Sequence, residues 1–396
     1  MAIPSPLLAL HQQAQALLMP YGPPQAGIDV VATYGELDLE YAAIRKHAAI
    51  FDLPHRAVIE VTGADRLDFL NRMITQELKG MPEGTVRRAF WLNRKGRIDA
   101  DLRVINLPGR VLLETDILAA DRALKGLSAF IITEDVALRD ITSQTHRLAL
   151  HGPAAALLLT SSGVPALEPA RATAATLAGV DVQIFREDST GEPGYHLITP
   201  AESAAAIFQH LLTLGHDPSH GAAAIRQPAQ GLAAQVRLRP AGWHAFNIAR
   251  IEAGTPLYNI DFGENSLPAE TGVLHDRVSF TKGCYLGQEV VARMHSRGHS
   301  KQVLLGLKFD TVTTPDDFAL QLVEGAELFP LVDGAPGPEP IGAVTSSTIS
   351  PMSGSAAIAF AQVKQSHQAP GTQFAATVEG RVVVGAVQPS LSFLKR

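Results

Sequence analysis

Cysteine is all but missing from this chain: Cys284 is the only one in 396 residues. An intramolecular disulfide is therefore excluded, and the usage fits a reducing compartment, so a cytoplasmic location is expected. Charged residues make up only 18% and aromatic residues 6%. With a formal net charge of -6, the chain has no general attraction for nucleic acid, which leaves open only a local basic patch. No apolar run approaches the length that spans a bilayer, so no membrane partner is expected. The leucines between Met1 and Pro20 follow no basic residue, which reads as an amphipathic helix rather than a signal peptide. A dinucleotide fingerprint and a nucleophile elbow are also missing, and Gly191 to Gly194 lacks the strand-turn-helix context of a phosphate-binding loop.

What the chain does have is 46% apolar content, enough for two or three domains with cores of their own. From Arg56 the pattern alternates strand and helix. Val58, Ile59 and Val61 give a strand, and Thr62-Gly63-Ala64-Asp65 reads as a variant capping box before helical spacing at Leu67, Leu70 and Ile74. Strands are expected near residues 87–92, 97–107 and 110–115, a helix over 117–130 and a strand near 136–141, close to a split βαβ unit with an extra strand. A second round has a strand at 148–150, a helix opened by Gly152-Pro153, a hairpin of 180–186 with 195–198, and a helix over 201–214. Placing Gly63 on Gly152 puts Leu70 on Leu159, which suggests a diverged internal repeat. Two such units side by side make a cleft, where small ligands commonly bind. The stretch 216–242 has no clear assignment. After Ser300 the segments 303–309, 341–346, 356–360, 374–378 and 381–384 all read as strands of a small barrel.

Chemistry concentrates in a few places. Cys284 sits in Lys282-Gly283-Cys284-Tyr285-Leu286-Gly287-Gln288-Glu289, just before helical spacing at Val290, Val291 and Met294. A nearby lysine and a helix N-terminus both favour a thiolate, and the glycines keep bulk away from the sulfur. Most free cysteines, by contrast, are small buried hydrophobes. Along Arg97 to Val104, period two puts Arg97, Asp99, Asp101 and Arg103 on one face, which by pattern alone is a solvated face with paired charges. Glu192 and Tyr195 lie in Gly191-Glu192-Pro193-Gly194-Tyr195, a hairpin turn. His275, His295 and His299 flank the cysteine but match no standard zinc spacing, and one cysteine cannot complete an iron–sulfur ligand set, so no metal site is expected.

Together with Val291-Ala292-Arg293 and Arg297-Gly298, the Lys282 to Glu289 segment resembles the signature of the YgfZ-type folate-binding proteins, relatives of the glycine-cleavage T-protein (aminomethyltransferase). Matches continue along nearly the full chain, at Gly63-Ala64-Asp65, Asn93 to Leu102, Gly191 to Tyr195, Arg250-Ile251-Glu252-Ala253-Gly254 and Gly342 to Ser346. The resemblance implies an α+β fold: a T-protein-like body of two ferredoxin-like units around a folate opening, followed by an all-β barrel. The expected boundaries are an N-terminal segment at 1–27, the body at 28–300 with units near 56–145 and 146–255, and the barrel at 301–396. It also implies tetrahydrofolate or a related reduced folate as cofactor. Asp101, in Ala100-Asp101-Leu102, stands for the T-protein's functional aspartate, and Glu192 for the acid that meets the pterin. Tyr195 and Arg250 are further candidate contacts, although at Arg250 a structural ion pair is the commoner role. Phe246 aligns with an arginine that the T-protein uses on folate, a departure that weakens the case for aminomethyl transfer and offers a stacking ring instead. The T-protein lacks the cysteine signature, so the expected function is tetrahydrofolate binding in support of iron–sulfur enzyme assembly or repair, with iron–sulfur proteins as partners and Cys284 acting near the folate. The alternative is a folate-dependent aminomethyltransferase or demethylase using Asp101.

Overall fold

A computed structural model describes residues 4–215, 236–298, 300–311 and 319–394. The chain divides into two compact units, one of residues 1–89 and 100–246, the other of residues 90–99 and 247–396.

The first unit holds two packed sheets. In the five-stranded one, Thr85–Leu92, Ile98–Leu107, Arg110–Asp116, Arg56–Thr62 and Ala137–Asp140 lie in that order. Helices Arg66–Met73 and Ile117–Ser128 complete this round. The second sheet runs Ala172–Leu177, Val180–Arg186, Gly194–Pro200, Thr145–His151, Ala48–Asp52 and Leu238–Pro240. Only the last pairing is parallel. Helices Ala155–Ser161 and Ala204–Leu214 bury Leu158, Leu159, Ile207, Phe208 and Leu211 in its core. The sheets meet through Ile105, Leu107 and Leu112 from one and Ala172, Phe185 and Ile198 from the other. Gly63 and Gly152, which the suggested repeat aligns, both adopt positive φ (102° and 132°), and a side chain at either would strike neighbouring backbone. The expected capping box does not form. Asp65 caps nothing in its own helix; its carboxylate accepts from the Asp135 N–H while the Ala64 N–H donates to the Asp135 carboxylate, both at 2.9 Å.

The N-terminal segment departs from the single amphipathic helix expected of it. Helix Leu8–Gln13 is short, and Leu17–Tyr21 is a strand paired antiparallel with Ile28–Thr33. Leu7 is fully buried in the second sheet's core.

In the second unit the strands Glu327–Val332, Gly342–Ser350, Ala356–Lys364, Gln302–Phe309, Arg381–Val387 and Gln373–Val378 close on themselves through the pairing of the first with the last. This is the expected barrel, and Leu307, Leu328, Phe374 and Val363 are among the residues that fill it. Among the described residues, no helix is long and apolar enough to cross a membrane.

Candidate functional site

Asp101 does not lie on a solvated face. Residues 101, 103, 105 and 107 turn toward the second sheet, so Asp101 and Arg103 are only 5% and 7% exposed. The alternate residues Ile98, Ala100, Leu102 and Val104 are fully buried on the other side, so the strand is covered on both faces. Pattern alone cannot distinguish that case from a wet face once the charges are paired internally.

The pairing is dense. The Arg56 guanidinium donates twice to Glu114, at 2.6 and 2.7 Å, and Arg103 donates to Glu114 at 3.2 Å. Arg103 also holds Glu187 with two donors, one of them at 2.8 Å. Arg88 lies 3.6 Å from Glu187 and 3.9 Å from Asp101. Burial opposes the charge on every carboxylate here. At Glu187 the Arg103 and Arg88 guanidiniums overcome it and hold the acid well below its ordinary range. At Asp101 burial prevails over Arg88 and Arg103, and with Glu187 nearby the carboxyl rises to about 6.

Glu187 opens the turn that leads to Glu192. Gly191 takes φ 82° there, and Asp188 pins the turn by accepting from the Gly194 N–H at 3.0 Å. Glu192 keeps 27% of its side chain exposed and lies 3.4 Å from Arg45, which also donates to the Thr190 carbonyl at 2.7 Å. Thr190 meets His151 Nδ1 at 3.4 Å, and Gly194 packs so closely on the His151 ring that a Cβ would collide with it. His151 touches the rings of Phe51 (5.7 Å) and Phe246 (6.0 Å). One continuous set of contacts therefore joins Asp101, the Glu192 turn and Phe246 within the first unit. Tyr195 faces the other way, into the apolar core, and is 3% exposed; its ring carries Arg186 at 5.8 Å.

Several polar atoms in this set have no hydrogen-bond partner among the described residues. His151 Nε2, both ring nitrogens of His196 and Ser189 Oγ are buried and unpaired. Burial depresses His151 to about 4, leaving a neutral ring. Unpaired buried polar atoms are uncommon and call for an explanation. Neutral donors and acceptors, with His151 beside Phe51 and Phe246 and His196 beside His151, suit a planar heteroaromatic with N–H and C=O groups, so the residues present fit a pterin. Sequence reasoning missed His151, His196, Glu187 and Arg88. The only available signal was polar residues placed among apolar ones, as in His146-Arg147-Leu148-Ala149-Leu150-His151.

The remaining candidates belong to the second unit. Arg250 is fully buried; it donates to Asp261 at 2.7 Å, Ser346 at 2.6 Å and Asn247 at 2.9 Å, and lies over the Phe360 ring. Its candidate role as a folate contact gives way to the structural ion pair, because the guanidinium is committed to these partners. Cys284 is exposed, in the loop before helix Gln288–Arg297, with open space around Gly283. Gly287 caps that helix at φ 82°, Gln288 opens it and Glu289 is exposed in its first turn. Val290, Val291 and Met294 line a small apolar hollow with Leu267, Pro268 and Leu274. Lys282 is buried with its ammonium 5.1 Å from the Tyr285 ring, and burial pushes the Tyr285 hydroxyl up to about 12. The His275 and His295 rings lie 6.3 Å apart, with Phe280 stacked on His295 at 4.0 Å. His299 and residues 216–235 lie outside the described residues.

Comparison with known proteins fits this layout. Residues 11–282 match the GCVT N-terminal domain, and residues 309–393 the glycine cleavage T-protein C-terminal barrel domain. Aminomethyltransferases of Symbiobacterium thermophilum and Streptomyces coelicolor are 27% and 29% identical, covering 97% and 88% of this chain and 95% and 87% of theirs. The aminomethyltransferase of Geobacillus kaustophilus is 26% identical over 84% of this chain and 86% of its own. In fold, the chain resembles the crystal structure of glycine cleavage system aminomethyltransferase T from Bartonella henselae, with a TM-score of 0.82 at 24% identity, over 100% of this chain and 98% of that one.

Proposed function

The chain belongs to the glycine-cleavage T-protein family, and from that premise we propose that it binds tetrahydrofolate or a close relative and transfers a one-carbon unit in the manner of an aminomethyltransferase. The observation that carries the reading is Asp101, a buried carboxyl raised to about 6. Such a group takes up and releases a proton near neutral pH, as a general acid or base must. When bound, the folate supplies the nitrogen that accepts the one-carbon unit. The chain's own residues do the rest. Glu192 accepts from the donor edge of the pterin, His151, His196 and Ser189 meet its remaining polar groups, and Phe51 and Phe246 wall it from water. Asp101 orients the accepting nitrogen and holds its proton. The names of the relatives support transfer. The test is formation of methylene-folate from an aminomethyl donor. Activity in the unmodified protein and its loss in Asp101→Asn, with folate affinity largely kept, is the expected outcome; binding without turnover would remove the transferase reading.

A specific observation favours a second reading, the YgfZ-type role in support of iron–sulfur enzymes. The cysteine segment that the T-protein lacks is present, and Cys284 is exposed rather than packed. On this reading Cys284→Ala lowers iron–sulfur enzyme activity in cells while folate affinity is unchanged. Normal activity in that variant would set the role aside.

A further inference from the structure

Four rings of the first unit, those of Phe51, His55, Trp243 and Phe246, line a small hollow. They are inclined rather than stacked. Trp243 stands at 86° to His55 and 52° to Phe246, and Phe246 at 66° to Phe51, with centroids 5.7 to 5.8 Å apart. Rings set at such angles turn faces as well as edges to the space between them. The wall is built in place. Tyr21 backs His55 at 4.7 Å, and the segment carrying Trp243 and Phe246 is seated by Gly242, where a Cβ would lie 2.4 Å from the Ala32 carbonyl oxygen.

Two polar side chains interrupt the rings. His55 is buried, and its Nδ1 has no hydrogen-bond partner among the described residues. Burial, with Arg56 adding to it, lowers its proton affinity to about 3, so the ring is neutral and its unprotonated nitrogen accepts. Asp52 is the one charged residue among the described residues that line the hollow; His146 and His11 keep it ionised. Arg56, whose charge reaches His55, is closed on Glu114 at 2.6 and 2.7 Å. Aromatic faces, a free acceptor and a carboxylate repel an anion and attract a cation that carries N–H groups. We propose that this hollow is a binding site for a small ammonium ion, the protonated head of a short primary or N-methylated amine: the ring faces attract it, His55 accepts one of its protons and the Asp52 carboxylate balances its charge. The site does not depend on the folate reading, but it adjoins the set proposed to hold the pterin, because Phe51 and Phe246 also touch His151.

The test uses the full chain labelled with 5-fluorotryptophan. Trp91 and Trp243 are its only tryptophans, so Trp243→Phe identifies the fluorine-19 signal that comes from the hollow. Methylammonium is the probe, at constant ionic strength, with methanol and formate as neutral and anionic counterparts of similar size. Methylammonium should move the Trp243 signal saturably and leave that of Trp91 in place, while methanol and formate move neither. Phe246→Leu keeps the wall apolar but removes a ring face, and His55→Leu removes the acceptor; each should weaken binding by about tenfold. A shift that does not saturate, or that methanol or formate reproduces, overturns the proposal, as does unchanged affinity in both variants. If neither variant folds, the three probes on the unmodified protein decide alone. Tetrahydrofolate calorimetry keeps the two readings apart. Methylammonium binding without folate binding defeats the proposed function and leaves this site standing; folate binding without methylammonium binding defeats only this site.

Discussion

Asp101 is held in a way that costs stability. A folded-state value raised from 3.8 to about 6 means that the native state binds this proton more tightly than the unfolded chain does. Its stabilising contribution is complete below 3.8 and is lost as pH rises through about 6, a difference on the order of 3 kcal/mol at neutral pH. Asparagine mimics the protonated form, so Asp101→Asn should unfold at higher denaturant than the unmodified protein at pH 7 and at a similar concentration at pH 4. Equal midpoints at both pH values would mean that the carboxyl is not strained. His151 has the opposite sign. Burial lowers it from 6.5 to about 4, so the unfolded chain takes up a proton that the native ring refuses. Stability then falls as pH drops from 6.5 toward 4, by on the order of 3 kcal/mol. Replacing His151 with Gln should flatten that part of the denaturation profile. Asp101 was legible in the sequence because Ala100-Asp101-Leu102 carries a family pattern; the burial and the Glu187 carboxylate that raise its proton affinity were not. Glu187 follows strand Val180–Arg186 of the second sheet, and only sheet-on-sheet packing brings it to Asp101.

Among the elements, the barrel was the most legible. Its strands alternate on a period of two between turns, and the hairpin of Gln373–Val378 with Arg381–Val387 follows directly from the Glu379-Gly380 turn. The N-terminal segment was the least legible, because tertiary contacts override its leucine pattern. His11 Nε2 and Ser5 Oγ meet one oxygen of Asp52 at 2.7 and 2.5 Å, and His146 Nε2 meets the other at 2.5 Å. Tyr34 completes the set through His11 Nδ1 at 2.9 Å. Burial alone would raise Asp52, but His146 and His11 hold it far below the ordinary carboxylate range. Asp52→Ala strands these partners and should cost about 3–5 kcal/mol in a denaturant unfolding experiment. A loss well under that would show that Leu7, buried in the core, docks the segment by itself. Helix Gln288–Arg297 depends on Gly287, whose φ of 82° leaves a Cβ only 3.1 Å from the Asn93 carbonyl. Gly287→Ala should therefore cost at least about 1–2 kcal/mol, read from chemical denaturation.

At the scale of the molecule, the sequence pointed correctly to a two-round body and a barrel, but not to how the chain is shared between compact units. Residues 90–99, the tip of a hairpin whose base lies in the first unit, belong with the second. Within that unit, Phe90 meets Phe262 at 5.9 Å, Tyr258 donates to the Asp99 carbonyl at 3.0 Å, and Gly96 lies against Val290. A fragment of residues 247–396 lacks those partners, and its amides ahead of the barrel should exchange hydrogen faster than in the full chain. Periodicity finds strands and helices one at a time and carries no information about which unit claims a hairpin tip. The central claim is that this body holds a reduced folate against Glu192, Phe246 and Asp101. Isothermal titration calorimetry with tetrahydrofolate tests it most directly: saturable binding is expected, weakened by about 1.5–3 kcal/mol in Glu192→Ala through loss of a charge-assisted hydrogen bond, whereas no saturable heat from the folded, unmodified protein would contradict it.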